Sequence, residues 1–333
     1  MPRRNPNSTA GYPFLDIVSY GRRGPGEGRS FGHAEIEQIA RTVRRTPEVM
    51  VKVSGCGHSA RAVAAHFNYI GRDDFSIETD DGERLQGKES VRALIDDWEL
   101  DLDAAESRKL YRGAPGRKPV KMVHNIVLSM PAGTPATSVL EASRAFAREQ
   151  FGLKHRYALA LHTDQPHPHV HLVVKSMSEQ GKRMVLRKAT LREWRQEFAR
   201  QLRARDVAAN ATVRAVRGVT KPQKSDGVYR AMRAGRSTHM RRHVESVAAA
   251  LRAGRALSDT GEAQIAHTRR QVIKAWGGVL EVLRAGGNEA LAVDVARFVE
   301  GMRRPQTERE WIAEGLLARA RGHHERAPPE VAR

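Results

Sequence analysis

Residues 157–175 read YALALHTDQPHPHVHLVVK, and this stretch decides how the middle of the chain is expected to fold. Two alternating runs, 157–162 and 169–175, flank a short segment that contains Pro166 and Pro168. Alternation is typical of strands with one buried face, because successive side chains of a strand point to opposite sides of the sheet. The stretch therefore predicts a β-hairpin.

Pairing residue 162 with residue 169 makes the two faces of this hairpin chemically different. One face is then wholly apolar and carries Tyr157, Leu159, Leu161, Val170, Leu172 and Val174. The opposite face presents His162, His169 and His171 together. A shift of one residue in the register would mix the two sets, so the pattern itself favours this pairing.

Three imidazoles on adjacent positions of a rigid hairpin form a candidate metal site with positions left open for substrate and water. Asp164 is placed to accept the second N–H of a ligand histidine and so to select its tautomer. His167, between two prolines near the turn, is left out of the ligand set. The plainer alternative is an exposed histidine tract that binds metal weakly.

A helix is predicted over residues 59–71, with Ser59 as its N-cap and Gly71 at its end. Its buried stripe consists of Val63, Phe67 and Ile70. Tyr69 lies about 120° from the centre of that stripe, and His66 lies on the same side three residues earlier. A phenol becomes a useful nucleophile only when a cation or base assists it. Tyr69 is therefore a candidate nucleophile beside a metal.

The choice of tyrosine stays open at this point. An aromatic residue off the buried stripe can also simply shield the edge of its helix. The chain contains five further tyrosines: Tyr12, Tyr20, Tyr111, Tyr157 and Tyr229. Tyr157 belongs to the apolar face of the hairpin and is the least suited of them.

The charge of the chain points to a polyanionic partner. Its 333 residues carry 57 Lys+Arg against 38 Asp+Glu, a net charge of +19. Binding to nucleic acid benefits from such an excess because neutralised phosphates release counterions. An anionic membrane surface is the competing partner, but the chain has no apolar stretch of membrane-spanning length, so no membrane insertion is expected. The lone Cys56 and the lack of a signal segment indicate a cytoplasmic protein.

The order of the predicted elements indicates an α+β fold, an antiparallel sheet with helices on one face, followed by an all-helical C-terminal domain. We expect a basic flexible arm at 1–47, a nuclease-sized domain at 48–206, a basic linker at 207–236 and a helical domain with a disordered tail at 237–333. The predicted helices include 89–110, 137–151 and 191–205, and then 239–253, 262–284, 288–303 and 307–321. The role of the helical domain is not readable from the sequence.

Together, the two motifs resemble the relaxases, or mobilisation nucleases, of the HUH endonuclease type that start conjugative DNA transfer. The resemblance is to the branch that includes the T-DNA border endonuclease. The matching segments are HFNYIGR (66–72), HNIVLSMP (124–131), HTDQPHPHVHLVVK (162–175) and RKATLREWRQEFARQLRARDVAANATVRAVRG (187–218). The match covers roughly residues 48–230. One departure is the long segment before the tyrosine helix, which keeps Tyr12 and Tyr20 as alternatives to Tyr69.

The resemblance implies an HUH/RRM-like palm and a specific reaction. Tyr69 would attack one phosphodiester at a transfer origin, leaving a 5′-phosphotyrosyl bond and a free 3′-hydroxyl, without ATP. His162, His169 and His171 would hold one divalent ion, Mg²⁺ or Mn²⁺, although three imidazoles also accept Zn²⁺ or Ni²⁺. The expected partners are single-stranded or supercoiled DNA at the origin, accessory proteins of the relaxosome and a coupling protein.

The resemblance also suggests roles for residues around the nucleophile. His66 or Asp164 would help to remove the phenolic proton, and Ser129 would contact the strand beside the scissile bond. The candidate DNA contacts are Arg72, Arg214, Arg217 and Lys221, which would position the backbone without reading its sequence.

Two other functions fit part of the pattern. The run from His167 to Val173 also matches the signature of histidine-triad nucleotide hydrolases, in which a histidine attacks the α-phosphate without metal or tyrosine. A non-catalytic DNA-binding protein with a decayed site is the third possibility. Detection of nucleotidyl-histidine would favour the hydrolase, and an origin-nicking assay would identify the binding protein.

Overall fold

The computed structural model describes residues 30–72, 75–100, 102, 105, 120–219, 231, 234–257, 259 and 261–324. Two compact units make up the chain. The described residues within 45–211 form the first, called the sheet unit below. The described residues within 30–44 and 212–324 form the second, called the helical unit.

The described residues of the sheet unit form six antiparallel strands in the order β1-β4-β6-β5-β2-β3. The strands are β1 Met50–Gly57, β2 Ile77–Thr79, β3 Arg84–Leu85, β4 Val123–Ser129, β5 Tyr157–His162 and β6 His169–Lys175. The helices of this unit are α2 Ala60–Ile70, α3 Gly87–Asp97, α4 Ala136–Phe151 and α5 Lys188–Arg203. The helix α1 (His33–Val43) belongs to the helical unit.

The hairpin of β5 and β6 has the register that its sequence pattern predicts. His162 pairs with His169, Leu161 with Val170, and Tyr157 with Val174. β6 continues the sheet into β4, where Ser129 lies opposite His169. The histidine-bearing face of the hairpin is therefore part of a wide, continuous sheet.

Helices cover both faces of this sheet. α4 and α5 pack on the apolar face of the hairpin, in a core that contains Phe146 and Leu172. α2 and α3 pack on the opposite face, in a second core that contains Phe67, Ala160 and Val173. The expected α+β class with an antiparallel sheet is confirmed, whereas the expectation of helices on one face only is corrected.

Small side chains explain why the histidine-bearing face can also accept a helix. Ala158 and Ala160 are the β5 residues beside His162 on this face, and both are fully buried. At β1, Gly57 allows α2 to come very close, because a Cβ at this position would lie 2.5 Å from Cγ2 of Val63. The tyrosine helix thus lies on the face that carries the histidines.

One predicted helix is interrupted. A helix was expected over residues 89–110; α3 ends at Asp97, and the described residues 100, 102 and 105 beyond the interruption are helical again. Glu99 has a φ of 50°, a left-handed conformation that cannot continue a right-handed helix. Trp98 and Leu100, on either side of Glu99, are both fully buried. Their burial accounts for the local break in the helix.

The helical unit surrounds a core of its own. Its described residues form the helices α1, α6 Thr238–Arg252, α7 Glu262–Ala285, α8 Glu289–Glu300 and α9 Glu308–His324, with a short 3₁₀ helix at Arg214–Arg217. Trp276 is fully buried in this core and donates its indole N–H to the carbonyl of Val216 over 2.9 Å. Ile39 and Val43 of α1 belong to the same core, so part of the segment expected as an arm packs here.

Several predicted features lie outside the described residues. They are the first 29 residues of the expected arm, Lys221 of the linker, the end of the tail, and Tyr12, Tyr20, Tyr111 and Tyr229. Among the described residues, no helix combines the length and apolar character needed to cross a bilayer.

A buried histidine, His124 on β4, lies in the sheet unit away from the hairpin histidines. Only 4% of its surface is exposed, and its Nδ1 has no hydrogen-bond partner among the described residues. Burial, assisted by the positive charge of Lys121, lowers its pKa to about 4. His124 is therefore neutral in the folded protein at pH 5, where the unfolded chain would protonate it.

This difference predicts an acid-sensitive stability. The folded-state pKa lies below the ordinary value of 6.5, so stability present above pH 6.5 is lost as the pH falls towards 4. Between pH 7 and pH 5, His124 should account for a loss of about 2 kcal/mol in the free energy of unfolding. Urea denaturation in the presence of chelator measures the free energy of unfolding at pH 7 and at pH 5. The decrease between these two pH values should be about 2 kcal/mol smaller for His124→Leu than for wild type. An equal loss in both proteins would contradict the assignment.

Candidate metal and nucleophile site

The three hairpin histidines form a compact cluster of possible metal ligands. One ligand atom from each of His162, His169 and His171 lies within 4.8 Å of the others. Their ring centroids are 4.6 to 5.3 Å apart. His162 and His169 are buried, and His171 is partly buried. The three imidazoles thus form a compact group on the face of the sheet that α2 covers, and His167 is not part of it.

Two of the three imidazoles have a defined tautomer. Nε2 of His162 lies 2.7 Å from the carbonyl oxygen of Ile70, at the end of α2. Nδ1 of His169 lies 3.3 Å from the carbonyl oxygen of His167. Because a carbonyl oxygen can only accept, each of these nitrogens carries the hydrogen and donates it. The other nitrogen of each ring keeps its lone pair, as metal coordination requires.

Burial keeps the cluster uncharged. It lowers the pKa of His171 to about 3, with further lowering by His162 and His169. Burial is also the main cause that lowers the pKa values of His162 and His169 themselves. Nδ1 of His171 is buried without a hydrogen-bond partner among the described residues. Three neutral imidazoles, one with an unpartnered nitrogen, fit a divalent cation well.

α2 brings Tyr69 to the edge of the histidine cluster. Ser59 caps the helix by accepting a hydrogen bond from the backbone N–H of Ala62 over 3.2 Å. The helix buries its predicted stripe and leaves Tyr69 54% exposed. The Tyr69 ring centroid lies 6.2 Å from that of His171. The phenol is accessible to a macromolecular substrate and adjacent to the cluster.

His66, on the same helix α2, lies close to both Tyr69 and the cluster. Its ring centroid is 6.3 Å from that of Tyr69 and 6.1 Å from that of His171. Its Nε2 is buried and has no hydrogen-bond partner among the described residues. Burial, followed by the effect of His162, lowers the pKa of His66 below its ordinary value. A neutral imidazole beside the phenol is chemically suited to accept a proton.

Asp164 contacts Arg72 in this structure. Its Oδ2 accepts a hydrogen bond from Nη2 of Arg72 over 2.7 Å. Sequence reasoning expected Asp164 to hold the second N–H of a ligand histidine. Instead, the N–H of His162 is accepted by the carbonyl of Ile70, and the N–H of His169 is accepted by the carbonyl of His167.

Arg72 and Phe75 extend the site in ways that motif analysis did not anticipate. The Phe75 ring stacks on His162 with centroids 4.3 Å apart and an interplanar angle of 16°. The guanidinium of Arg72 lies over the Tyr69 ring, its Cζ 4.4 Å from the centroid. Arg72 was expected only as a DNA contact, and its spacing of three residues after Tyr69 was a signal that the two side chains could meet.

The structure does not bring the remaining predicted DNA contacts together in one part of the sheet unit. Ser129 is buried at the end of β4, and its hydroxyl donates to the carbonyls of Met130 and Pro168. Arg214 and Arg217 form the ends of the 3₁₀ helix in the helical unit. Lys221 lies outside the described residues. Tyr157 is buried in the apolar core, in agreement with its low rank as a nucleophile.

The central segment of the chain is similar to known proteins. Residues 77–206 match the family model of the MobA/VirD2-like relaxases, nuclease domain. A 55-residue segment is 46% identical to the T-DNA border endonuclease VirD2 of Rhizobium radiobacter, covering 15% of this chain and 13% of that protein. A 59-residue segment is 39% identical to the endonuclease of the same name from Agrobacterium fabrum, covering 16% of this chain and 13% of that protein.

These matches span a small part of the relatives' own length. A solved structure described as "Molecular Basis of Vancomycin Resistance Transfer in Staphylococcus aureus" is also similar, with a TM-score of 0.31 and 15% identity. The matched region covers 50% of this chain and 99% of the chain in that solved structure. The match to a relaxase nuclease family does not favour the histidine-triad hydrolase or the non-catalytic binding protein.

Proposed function

We propose, from the match of residues 77–206 to the nuclease domain of the MobA/VirD2-like relaxases, that the chain nicks and rejoins one DNA strand at a transfer origin. The reaction would start conjugative transfer or mobilisation. The observation that carries the proposal is the placement of Tyr69, exposed on α2 and 6.2 Å, ring to ring, from a buried histidine cluster.

The proposed chemistry is a transesterification. The phenolic oxygen of Tyr69 attacks the phosphorus of one phosphodiester and loses its proton. The bond from phosphorus to the 3′ oxygen breaks, and that oxygen leaves as a hydroxyl after taking up a proton. The 5′-phosphotyrosyl bond keeps the energy of the broken linkage, so the reverse reaction can rejoin the strand without ATP.

The side chains around Tyr69 have complementary roles in this proposal. His66, neutral because of its burial, accepts the phenolic proton. His162, His169 and His171 would hold a divalent ion, for which Mg²⁺ and Mn²⁺ are the candidates in the cell, and Zn²⁺ or Ni²⁺ could also occupy such a site. That ion supplies charge neutralisation for the non-bridging phosphate oxygens.

The DNA itself is the expected partner. The net charge of +19 favours a polyanion, and Arg214, Arg217 and Lys221 are candidates for contacts to its backbone. Ser129 is buried in this structure, so a contact from Ser129 to the strand would require its hydroxyl to exchange partners. Accessory proteins and a coupling protein are further proposed partners.

A plasmid assay tests this function directly. Purified protein is incubated with supercoiled plasmids that carry candidate transfer origins, with Mg²⁺ or Mn²⁺. We expect conversion to open circles with one nick at a single position, and protein attached to the 5′ end. Mass spectrometry of the peptide bound to DNA identifies the attached residue. Unattached nicks, or nucleotidyl-histidine in place of phosphotyrosine, would refute the proposed reaction.

A further inference from the structure

The guanidinium of Arg72 makes three contacts around the proposed nucleophile. Its Nη1 donates to the backbone carbonyl of Tyr69 over 2.9 Å, and its Nη2 donates to Oδ2 of Asp164 over 2.7 Å. Its Cζ lies 4.4 Å from the centroid of the Tyr69 ring. One side chain thus holds both the backbone and the aromatic ring of the same residue.

These contacts connect two elements that are distant in sequence. Arg72 directly follows the C-cap of α2, and Asp164 lies two residues after the cluster member His162. The hydrogen bond from His162 to the carbonyl of Ile70 ties the same end of α2 to the same hairpin. The position of Tyr69 relative to the histidine cluster therefore depends on two neighbouring hydrogen bonds, one from His162 to Ile70 and one from Arg72 to Asp164.

Arginine is suited to this arrangement for a geometric reason. Its guanidinium is planar, so it can present a face to an aromatic ring while its in-plane N–H groups donate to a carbonyl and a carboxylate. The ammonium of lysine is a compact point charge that has neither a planar face nor N–H donors fixed in one plane. Lysine at position 72 would keep the charge and would lose the simultaneous contacts.

A contact to DNA phosphate is the competing role for Arg72. Its side chain is 30% exposed, so a phosphate could approach it. Asp164 already pairs with the guanidinium, however, and a phosphate would have to displace that carboxylate. Any positive charge at position 72 would serve such a contact, which makes lysine a discriminating substitution.

We propose that Arg72, oriented by Asp164, is a positioning residue that holds the Tyr69 ring against the histidine cluster for in-line attack. This inference rests on the proposed function of Tyr69 as the nucleophile. In this proposal Asp164 orients Arg72. It neither accepts the N–H of a ligand histidine nor removes the phenolic proton. A misplaced nucleophile slows the chemical step, while binding of the substrate is little affected.

The first test separates binding from chemistry. The substrate is a fluorescent single-stranded oligonucleotide that spans the nick mapped on the plasmid, used in single-turnover reactions with the full chain. For Arg72→Lys, we expect a rate at saturating DNA that is lower by about 100-fold and a Kd within about threefold of wild type. Asp164→Asn should lower the rate at saturating DNA by about 10-fold. The double variant should be little slower than Arg72→Lys alone, because the two residues act as one unit. Arg61→Lys, exposed at the other end of α2, is the matched control.

The second test does not depend on cleavage. 3-Fluorotyrosine placed at position 69 reports on the ring by ¹⁹F NMR in the DNA-free protein. Arg72→Lys and Asp164→Asn should both shift and narrow this signal while the melting temperature stays near that of wild type, and Arg61→Lys should leave it unchanged. If Tyr69→Phe still forms adduct, the proposed function fails at Tyr69, and the ¹⁹F signal still shows whether Arg72 holds the ring.

Two results would overturn the positioning role. One is an Arg72→Lys protein that cuts at the wild-type rate with an unchanged ¹⁹F signal. The other is an Arg72→Lys or Asp164→Asn protein whose saturated rate is unchanged and whose Kd alone rises, which would make Arg72 a DNA contact.

Discussion

Tyr69→Phe should abolish covalent attachment of the protein to DNA and reduce nicking by at least about 10³-fold, because the attacking oxygen is removed. The substitution should leave the fold intact, since the side chain is 54% exposed and the phenyl ring keeps its contact with Arg72. The measurement is the protein–oligonucleotide adduct on a denaturing gel, with a Kd from fluorescence anisotropy to show that DNA still binds.

A matched control is available for this experiment. Tyr157→Phe removes a hydroxyl from a residue buried in the apolar core, where burial raises the pKa of the phenol. Its adduct formation should equal that of wild type. Adduct formation by the Tyr69→Phe protein would exclude Tyr69 as the nucleophile, and Tyr12→Phe and Tyr20→Phe would then identify which of the two earlier tyrosines replaces it.

His169→Ala and His171→Ala should each reduce nicking by about 10³-fold, because loss of a ligand removes several kcal/mol of charge stabilisation from the reacting phosphate. DNA binding should change by less than about threefold, since the backbone charge is neutralised mainly by arginine and lysine. The nicked fraction of plasmid measures the first effect, and anisotropy of a labelled oligonucleotide measures the second.

The metal role has its own control and its own contradiction. His167→Ala removes an exposed imidazole from the same hairpin outside the cluster, so this variant should nick at nearly the wild-type rate. Titration with Mn²⁺ should raise the melting temperature of wild type and of His167→Ala, and not that of His171→Ala. Nicking that survives in chelator would show that the histidines act without a metal.

Local periodicity made much of the site predictable. The period-two pattern of residues 157–175 predicted the pairing of His162 with His169, because a shift of one residue would have buried imidazoles among apolar side chains. The helical period of residues 60–70 placed Tyr69 off the buried stripe in the same way. Ser59 marked the start of that helix through its capping hydrogen bond, and Gly71 stands at its C-cap.

The break after α3 was not predictable in this way. The pattern of residues 89–110 continues past Asp97, but burial of Trp98 and Leu100 depends on packing against residues far along the chain. Part of the segment expected as an arm likewise joins the core of the helical unit, where Ile39 shares its cluster with residues of α7 and α8, more than 200 residues later.

The amino-acid sequence by itself determined which side chains share a face on each element and that three imidazoles meet on the hairpin. Only the tertiary structure decided that α2 covers that face, which brings Tyr69 to His171 and Arg72 to Asp164. The physical reason is that periodicity records whether a face is buried and does not record which element buries it. The small residues Gly57 and Ala160 make room for that contact, and their role is visible only once the helix is packed against the sheet.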